Sequence, residues 1–343
     1  MIIIFGILCL ILLLTLKVHW KGLDEQYLSK DYTQVIKGIF VVIVFLSHVR
    51  TYVDFPYSGD QMVIKVLNYL GQLMVALFLF YSGYGIYESI KRKGLKYIQH
   101  IPSNRVGKTL FDFAFALSLF YILALYIGKK YSLSHVLLSL TGWTSIGNSN
   151  WYMFTIFTLY ILTYISFRFT HSKRLLSLCL FTILSLGYVY ILSQIQPSRF
   201  SNTALCYTGG MWYSYFKKDI DSLFHQHQIL YYISTFLILF SYFYCYPFKG
   251  VRIMYFNGVS LLFCMVFVLL SMKISFKSQV LKWFGDHLFW VYILQRIPMI
   301  FFAHIGLTAY HPYIYLFITL IITLLLSQYI QILTEKLKNL IWK

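Results

Sequence analysis

Two residues of one apolar segment carry side chains that can do acid–base and ionic chemistry. Lys37 and His48 bound a stretch that holds mainly Ile, Val, Phe and Leu. On a helix, an eleven-residue offset is almost three turns, so both side chains share one face about 16 Å apart. A neutral imidazole in a dry helix bundle can remove a proton from a hydroxyl at physiological pH. The alternative is a buried histidine that only hydrogen-bonds a neighbouring helix.

Basic residues cluster after the next apolar segment, which ends in Ser82-Gly83-Tyr84. The basic residues are Lys91, Arg92, Lys93, Arg105 and Lys108. Clustered Arg and Lys side chains can neutralise a polyanionic ligand, which indicates a phosphate-binding rim. An ordinary cytoplasmic membrane anchor is the alternative.

Two other segments place polar groups at or inside apolar stretches. The first opens the fifth apolar segment with Asn150, Trp151 and Tyr152, and such aromatic pairs commonly anchor a helix at the membrane interface. The second holds a Gly–Asp break at 285–286 and a Gln–Arg pair at 295–296. Polar residues within a membrane are costly, so they indicate functional positions.

The elements that must position these residues are transmembrane helices. The 343 residues are 59% hydrophobic and 12% charged, whereas soluble domains carry about a quarter charged residues. Long apolar blocks predict an all-α polytopic helical bundle of ten or eleven spans. The predicted spans are 1–17, 35–53, 66–89, 109–128, 151–167, 175–195, 203–216, 229–247, 254–272, 284–305 and 312–333. Segment 203–216 is short and holds two glycines, so it is tilted, broken or re-entrant.

The distribution of basic residues predicts the orientation. If the N-terminus lies outside and the C-terminus inside, 21 of the 29 Lys and Arg residues fall on the cytoplasmic side and seven outside. Basic loops stay cytoplasmic in membrane proteins. The short tail 335–343 adds Lys336, Lys338 and Lys343 to the inner side.

The net charge of +18 does not predict a nucleic-acid partner, because the charges are scattered through membrane loops. Contact with anionic membrane lipid explains them better. No metal is expected: the pair His225 and His227 lacks neighbouring carboxylate or Cys ligands. The five cysteines fall inside spans at unrelated spacings and look like buried apolar residues.

In this order, the four polar segments resemble the membrane-bound acyltransferase 3 family over about residues 33–333. That family's opening helix reads Arg, ten residues, His, matched by Lys37 and His48. Its Phe-rich run ending in Ser-Gly-Tyr, its Arg-x-x-Arg and its Trp-Tyr helix start also have counterparts. Those counterparts are Phe78 to Tyr84, Arg105 with Lys108, and Asn150-Trp151-Tyr152.

Three positions depart from the family's pattern. Lys replaces Arg at 37 and 108, which keeps the charge but loses the planar bidentate grip. Gln295 stands where the family often has His. That loss leaves His48 as the main candidate for the proton acceptor. The division implied is an additional N-terminal helix and loop at 1–34, the acyltransferase domain at 35–334 and the basic tail.

The resemblance implies transfer of an acyl group, usually acetyl, from cytoplasmic acyl-CoA to a hydroxyl on an extracytoplasmic or cell-surface polysaccharide. The catalytic residues expected are His48, as general base or acyl carrier, and Lys37, which can also bind donor phosphates. Residues expected to bind CoA are Arg92, Arg105 and Lys108. Residues expected at the acceptor are Asp54, Asn150, Trp151 and Tyr152. The location implied is a bacterial plasma membrane.

Other functions stay open. The acyl group can be succinyl or longer, and the acceptor can be a glycolipid or small molecule. A glycan or lipid-linked sugar transporter, flippase or polymerase would share the aromatic spans, although transporters often show internal repeats and none is visible. A degenerate sensor or scaffold would tolerate His48→Ala.

Overall fold

The protein folds into a bundle of α-helices in the computed structural model, which describes residues 1–170, 173–309 and 311–342. In chain order the helices are α1 (Ile2–Thr15), α2 (Lys30–Val49), α3 (Ser58–Leu70), α4 (Leu73–Gln99), α5 (Lys108–Tyr126), α6 (Leu133–Leu140), α7 (Trp151–Phe169), α8 (Arg174–Ile195), α9 (Leu205–Gln226), α10 (Gln228–Cys245), α11 (Ile253–Ser271), α12 (Gln279–Asp286), α13 (Leu288–Leu294), α14 (Arg296–His304) and α15 (Pro312–Ile341). A π-helical turn, Pro102–Gly107, precedes α5. Lys343 of the predicted tail 335–343 lies outside the described residues. Most of the other tail residues belong to α15.

Eight helical stretches among the described residues are long and apolar enough to cross a bilayer. They are Lys30–Val49, Leu73–Gln99, Pro102–Tyr126, Trp151–Phe169, Arg174–Ile195, Gln228–Gly250, Ile253–Ser271 and Pro312–Ile341. Two shorter apolar stretches, Ile2–Thr15 and Leu288–His304, coincide with the first and tenth predicted spans. The chain is an all-α, multi-pass membrane protein, as the sequence predicted.

Helices α2 and α4 form the centre of the bundle. Within their most apolar windows 72% and 78% of residues are buried, against 11% for the stretch that contains α10. The outward faces of α8 and α10 expose large apolar side chains such as Ile183 and Phe236. Lipid tails are as apolar as leucine, so such faces suit contact with the bilayer. The helices that carry Lys37, His48 and Ser82 are therefore the most enclosed.

Helices α4 and α9 cross so closely that only glycine fits at two contact points. A Cβ atom on Gly83 would lie 2.0 Å from the carbonyl oxygen of Tyr207, and one on Gly210 would lie 2.0 Å from that of Phe80. Small residues of this kind let helix backbones approach in membranes. Because α9 is a continuous helix, the broken or re-entrant form considered for 203–216 does not occur.

The predicted span 284–305 is divided into shorter helices. α12 ends at Asp286, where the Gly–Asp pair predicted a break, and α13 is separated from α14 at Gln295. Pro298 has no N–H to donate, and a proline ring crowds the carbonyl four residues earlier, here that of Leu294. The predicted span is therefore confirmed as the apolar helical stretch Leu288–His304, with an interruption at Gln295, and its first residues belong to α12.

α1 is shorter than a membrane span and continues into a strand. Its 14 residues rise about 21 Å, less than a hydrocarbon core of about 30 Å. The following strand, β1 (Leu16–Val18), pairs antiparallel with β2 (Ile274–Phe276). The predicted helix over 1–17 is thus correct only to Thr15.

Contacts between loops agree with the prediction that successive loops lie on alternate sides of the membrane. The Tyr27 hydroxyl donates to Asp221 at 2.7 Å, which joins two regions predicted on the inner side. The Tyr313 hydroxyl donates to Asp60 at 2.7 Å, which joins two regions predicted on the outer side. Both contacts therefore join loops that the alternation predicts on the same side of the membrane.

Candidate active site

A basic cavity opens at one rim of the bundle between α2, α4 and the π-helical turn. It has a volume of about 470 Å³, and Lys37, Arg92 and Arg105 line it. Lys30 and Glu88 add one further cation and one carboxylate. The fold thus brings together three residues that the sequence predicted to bind a polyanion.

The cavity is positively charged because its lining carboxylate is already paired. Glu88 accepts a hydrogen bond from the Ser214 hydroxyl at 2.8 Å and forms an ion pair with Lys91. The three predicted cations of the cavity form no ion pair with any described residue. Unpaired Arg and Lys side chains around one space are suited to phosphate groups.

Aromatic side chains support these cations. Arg105 Nε donates to the Tyr97 hydroxyl at 2.9 Å, and its guanidinium carbon lies 5.9 Å from that ring's centroid. Lys37 Nζ lies 5.9 Å from the Tyr81 ring centroid. A cation over an aromatic face is attracted by the ring's quadrupole. The supported side chains lose less freedom when an anion binds.

His48 lies in the other half of α2, about 16 Å along the helix axis from Lys37. Its ring is half-buried, and its Nδ1 atom is buried without a hydrogen-bond partner among the described residues. A buried polar atom without a partner costs free energy. A bound substrate group is a partner that can remove that cost.

A row of hydroxyl-bearing side chains joins the basic cavity to His48. Ser82 lines the cavity and faces the hydroxyls of Tyr152 and Tyr160. The Tyr152 ring centroid lies 5.4 Å from that of Tyr292, which in turn lies 6.4 Å from the His48 ring centroid. The row therefore bridges the two halves of the site.

Two polar residues at the α13–α14 junction complete the surroundings of His48. Arg296 Nε donates to the Tyr52 hydroxyl at 3.0 Å, and its charge acts on His48. Gln295 is fully buried, and its Nε2 donates to the backbone carbonyl of Tyr292 at 2.8 Å. The Oε1 atom of Gln295 is buried without a partner in the described part of the chain. The site thus holds a cation and two unpaired buried polar atoms.

A second cavity of about 330 Å³ adjoins the row. Tyr152, Tyr160 and Tyr292 line it, together with the ion pair of Asp112 and Lys338 at 2.7 Å. Tyr160 lines both cavities, so they are direct neighbours. Two cavities therefore border the row, one on each side of Tyr160.

Two predicted site residues lie apart from the cavities. Lys108, the first residue of α5, is half-buried and does not line the basic cavity that Arg105 lines. Asp54 is exposed in the turn after α2 and forms no ion pair with the described residues. The structure therefore separates Arg105 from its expected partner.

Of the three predicted residues at the start of α7, only Tyr152 belongs to the row. Asn150 is buried, and its Nδ2 donates to the Gly142 carbonyl at 2.9 Å, which closes the preceding loop. Trp151 is half-buried, with its ring 6.1 Å from that of Tyr152. Asn150 thus stabilises the conformation of the loop that precedes α7.

Sequence reasoning missed Tyr160. It follows Tyr152 and Ile156 at successive intervals of four residues, which places all three on one helix face. That spacing was a usable signal. It did not stand out because the chain holds 31 tyrosines.

A family model described as an acyltransferase domain matches residues 30–332, which include both cavities' central residues and His48. The chain belongs to the membrane-bound acyltransferase 3 family. No curated protein and no solved structure matches the chain in the corresponding comparisons. The predicted resemblance is therefore confirmed, and this acyltransferase 3 protein is a membrane acyltransferase.

Proposed function

We propose that this acyltransferase moves an acetyl group from cytoplasmic acetyl-CoA to a hydroxyl of an extracytoplasmic polysaccharide. The observation that carries the proposal is the placement of an unpaired cation cluster and a histidine at opposite ends of one hydroxyl-lined row. A CoA thioester is a long ligand with phosphates at one end and its reactive carbonyl at the other. The site is arranged in the same way, with cations at one end for the phosphates and His48 at the other end for the carbonyl.

The basic cavity binds the donor. Lys37, Arg92 and Arg105 contact the phosphates of CoA, and Arg105 can do so with its planar pair of donors. The flexible pantetheine arm then follows Ser82 and Tyr152 into the bundle. The thioester carbonyl arrives beside Tyr292 and His48.

His48 acts as the general base of the transfer. The acceptor hydroxyl oxygen attacks the thioester carbonyl carbon while His48 takes the hydroxyl proton. Negative charge then develops on the former carbonyl oxygen, where Arg296 and the Tyr292 hydroxyl stabilise it. The carbon–sulfur bond breaks, and His48 returns its proton to the leaving CoA thiolate.

In this proposal the rim with the basic cavity faces the cytoplasm, and the membrane is a plasma membrane. The basic residues collect on the rim that holds the cation cluster, and basic loops stay cytoplasmic. The N-terminus then lies outside and the C-terminus inside. His48 lies toward the outer side, where a polysaccharide hydroxyl approaches, and Trp151 offers an aromatic face for stacking against a sugar.

Transfer by the purified protein tests this function. Full-length protein in lipid nanodiscs receives acetyl-CoA labelled in the acetyl group and polysaccharide from the native host. The expected products are base-labile label on the polysaccharide and an equal amount of CoA thiol. Polysaccharide that stays unlabelled while protein and donor remain intact contradicts the proposal.

A further inference from the structure

A polar cavity of about 440 Å³ lies beside the β1–β2 sheet, on the same rim as the basic cavity. Lys17 from β1 and Lys277, just after β2, line it together. Lys17 lies opposite Ser275 in the sheet, so Lys277 is its diagonal neighbour on the same face, roughly 7–8 Å away. Two cations at that spacing can contact one phosphate.

The other charges that line this cavity form pairs. Lys282 Nζ lies 2.7 Å from a carboxylate oxygen of Asp31, and His19 Nε2 lies 3.3 Å from one of Asp24. Lys17 and Lys277 form no ion pair with the described residues. The positive charge left for a ligand is therefore concentrated at the sheet.

An apolar groove of about 280 Å³ lies next to this cavity, toward the membrane region. Tyr32 and Phe276 line both spaces, so the two are direct neighbours. The groove follows α2 from Tyr32 to Ile43, a rise of about 16 Å. That length is about half of a 30 Å hydrocarbon core, which is the depth of one leaflet.

The segment before the family match forms one wall of this groove. The family model begins at residue 30, and α1 contributes Leu12 to the lining. The buried residues of α1 are Ile4 and Leu8, both in its first half. Its second half is only partly buried, with Ile11 and Leu12 against the core, and the groove lies between it, α2 and α11.

We propose that the segment 1–29 completes a binding site for an anionic phospholipid of the cytoplasmic leaflet. The phosphate lies between Lys17 and Lys277, and one acyl chain lies in the groove along α2. Basic pockets at the cytoplasmic ends of transmembrane helices bind anionic headgroups in this way. A soluble phosphate would leave the groove empty, and a zwitterionic lipid would leave the lysines without a net counter-charge.

Lipid retention by the purified, delipidated protein tests the site. Native mass spectrometry follows titrations with dioleoylphosphatidylglycerol and with dioleoylphosphatidylcholine, which share acyl chains and differ in headgroup. The wild-type protein is expected to retain one phosphatidylglycerol in preference to phosphatidylcholine. The double variant K17Q/K277Q is expected to lose about 25-fold in affinity for phosphatidylglycerol, because each lysine near an anionic lipid contributes roughly fivefold.

Two matched variants separate this site from general lipid contact. K129Q/K130Q removes two exposed lysines on the opposite rim and is expected to keep wild-type affinity. Leu12→Trp fills the groove with both lysines present and is expected to weaken phosphatidylglycerol binding. Equal retention of both lipids, or unchanged affinity in K17Q/K277Q with intact helical circular dichroism, overturns the proposal. Displacement of the lipid by glycerol phosphate at equal concentration also overturns it. None of these outcomes depends on acyl transfer.

Discussion

At the scale of single residues, Gln295 explains why the base is expected on α2. An amide cannot accept a proton at neutral pH, and the Nε2 of Gln295 is already bonded to the Tyr292 carbonyl. His48 contacts the same tyrosine and keeps a buried Nδ1 without a partner in the described structure. The proposed proton acceptor, His48, and Gln295, which stands where the family often has His, thus both lie next to Tyr292.

Arg105 and Lys108 should differ in their effect on donor binding. Arg105 lines the basic cavity and Lys108 does not. Because a hydrogen bond to a charged group is worth about 1.5–3 kcal/mol, Arg105→Ala should raise KM for acetyl-CoA roughly ten- to a hundredfold. Lys108→Ala, the matched control, should leave KM within about twofold. Equal effects of the two variants would show that the phosphates bind elsewhere.

Arg296 should act on the chemical step and not on donor binding. In the proposed mechanism its charge stabilises the oxyanion beside His48, whereas the donor phosphates bind at the far end of the row. Arg296→Gln should therefore lower kcat by about 10²–10³ with little change in KM for acetyl-CoA. Steady-state kinetics in nanodiscs measure both constants. Arg252→Gln, on the exposed outer rim, is the control, and a KM effect confined to Arg296→Gln would refute this role.

At the scale of helices, the crossing of α4 and α9 fixes the position of Ser82. The glycine that follows Ser82 touches the α9 backbone directly, and Gly210 makes the reciprocal contact. The Ser-Gly-Tyr motif therefore combines a cavity residue with the packing residue that holds it in place. A substitution of Gly83 should therefore lower the stability of the bundle.

Gly83→Ala should destabilise the bundle, whereas Gly85→Ala should not. A Cβ atom at Gly83 meets backbone at 2.0 Å, and one at Gly85 has nothing within 4 Å. Overpacking of this kind costs roughly 1–3 kcal/mol. Thermal unfolding of the two proteins in detergent compares them. An unchanged transition in Gly83→Ala would mean that α4 and α9 are less closely packed.

The helices and strands show which parts of the fold could be predicted from the sequence. The apolar blocks of α2, α4 and α7 exceed what a soluble fold can bury, so their helices and the spacing of Lys37 and His48 followed from local pattern alone. The β1–β2 pair could not be predicted, since its strands are far apart in the chain. The interruption at Gln295 depends on Pro298, which removes a backbone hydrogen bond within an apolar stretch long enough for one helix.

The site was predictable in part for the same reason. Residues on one helix, such as Lys37 and His48, have a relation that the sequence fixes through helix geometry. Tyr160 and Tyr292 join the site through packing between helices, which one sequence does not record. Lys108 was grouped with Arg105 by spacing, yet the π-helical turn that contains Arg105 ends before Lys108 and leaves only Arg105 in the cavity.

At the scale of the whole molecule, orientation determines which substrate reaches which cavity. In a cysteine-free background, Lys93→Cys should react with an impermeant maleimide only after the cells are permeabilised. Lys130→Cys should react in intact cells, because its loop lies on the opposite rim. Both side chains are exposed, so accessibility reports the side of the membrane. The reverse labelling pattern would place the donor cavity outside and exclude cytoplasmic acetyl-CoA as its ligand.

The most direct test of the account is the content of base-labile O-acyl esters on the surface polysaccharide of the native host. The comparison uses wild type, a deletion strain and His48→Ala, with His304→Ala on the exposed outer turn as the control and membrane levels checked for each. Because a general base contributes about 10²–10⁴ in rate, esters should disappear in the deletion and in His48→Ala and persist in His304→Ala. Esters that persist in His48→Ala would contradict the assigned base. Unchanged esters with missing polysaccharide in the deletion would indicate a transporter or polymerase and contradict the proposed function.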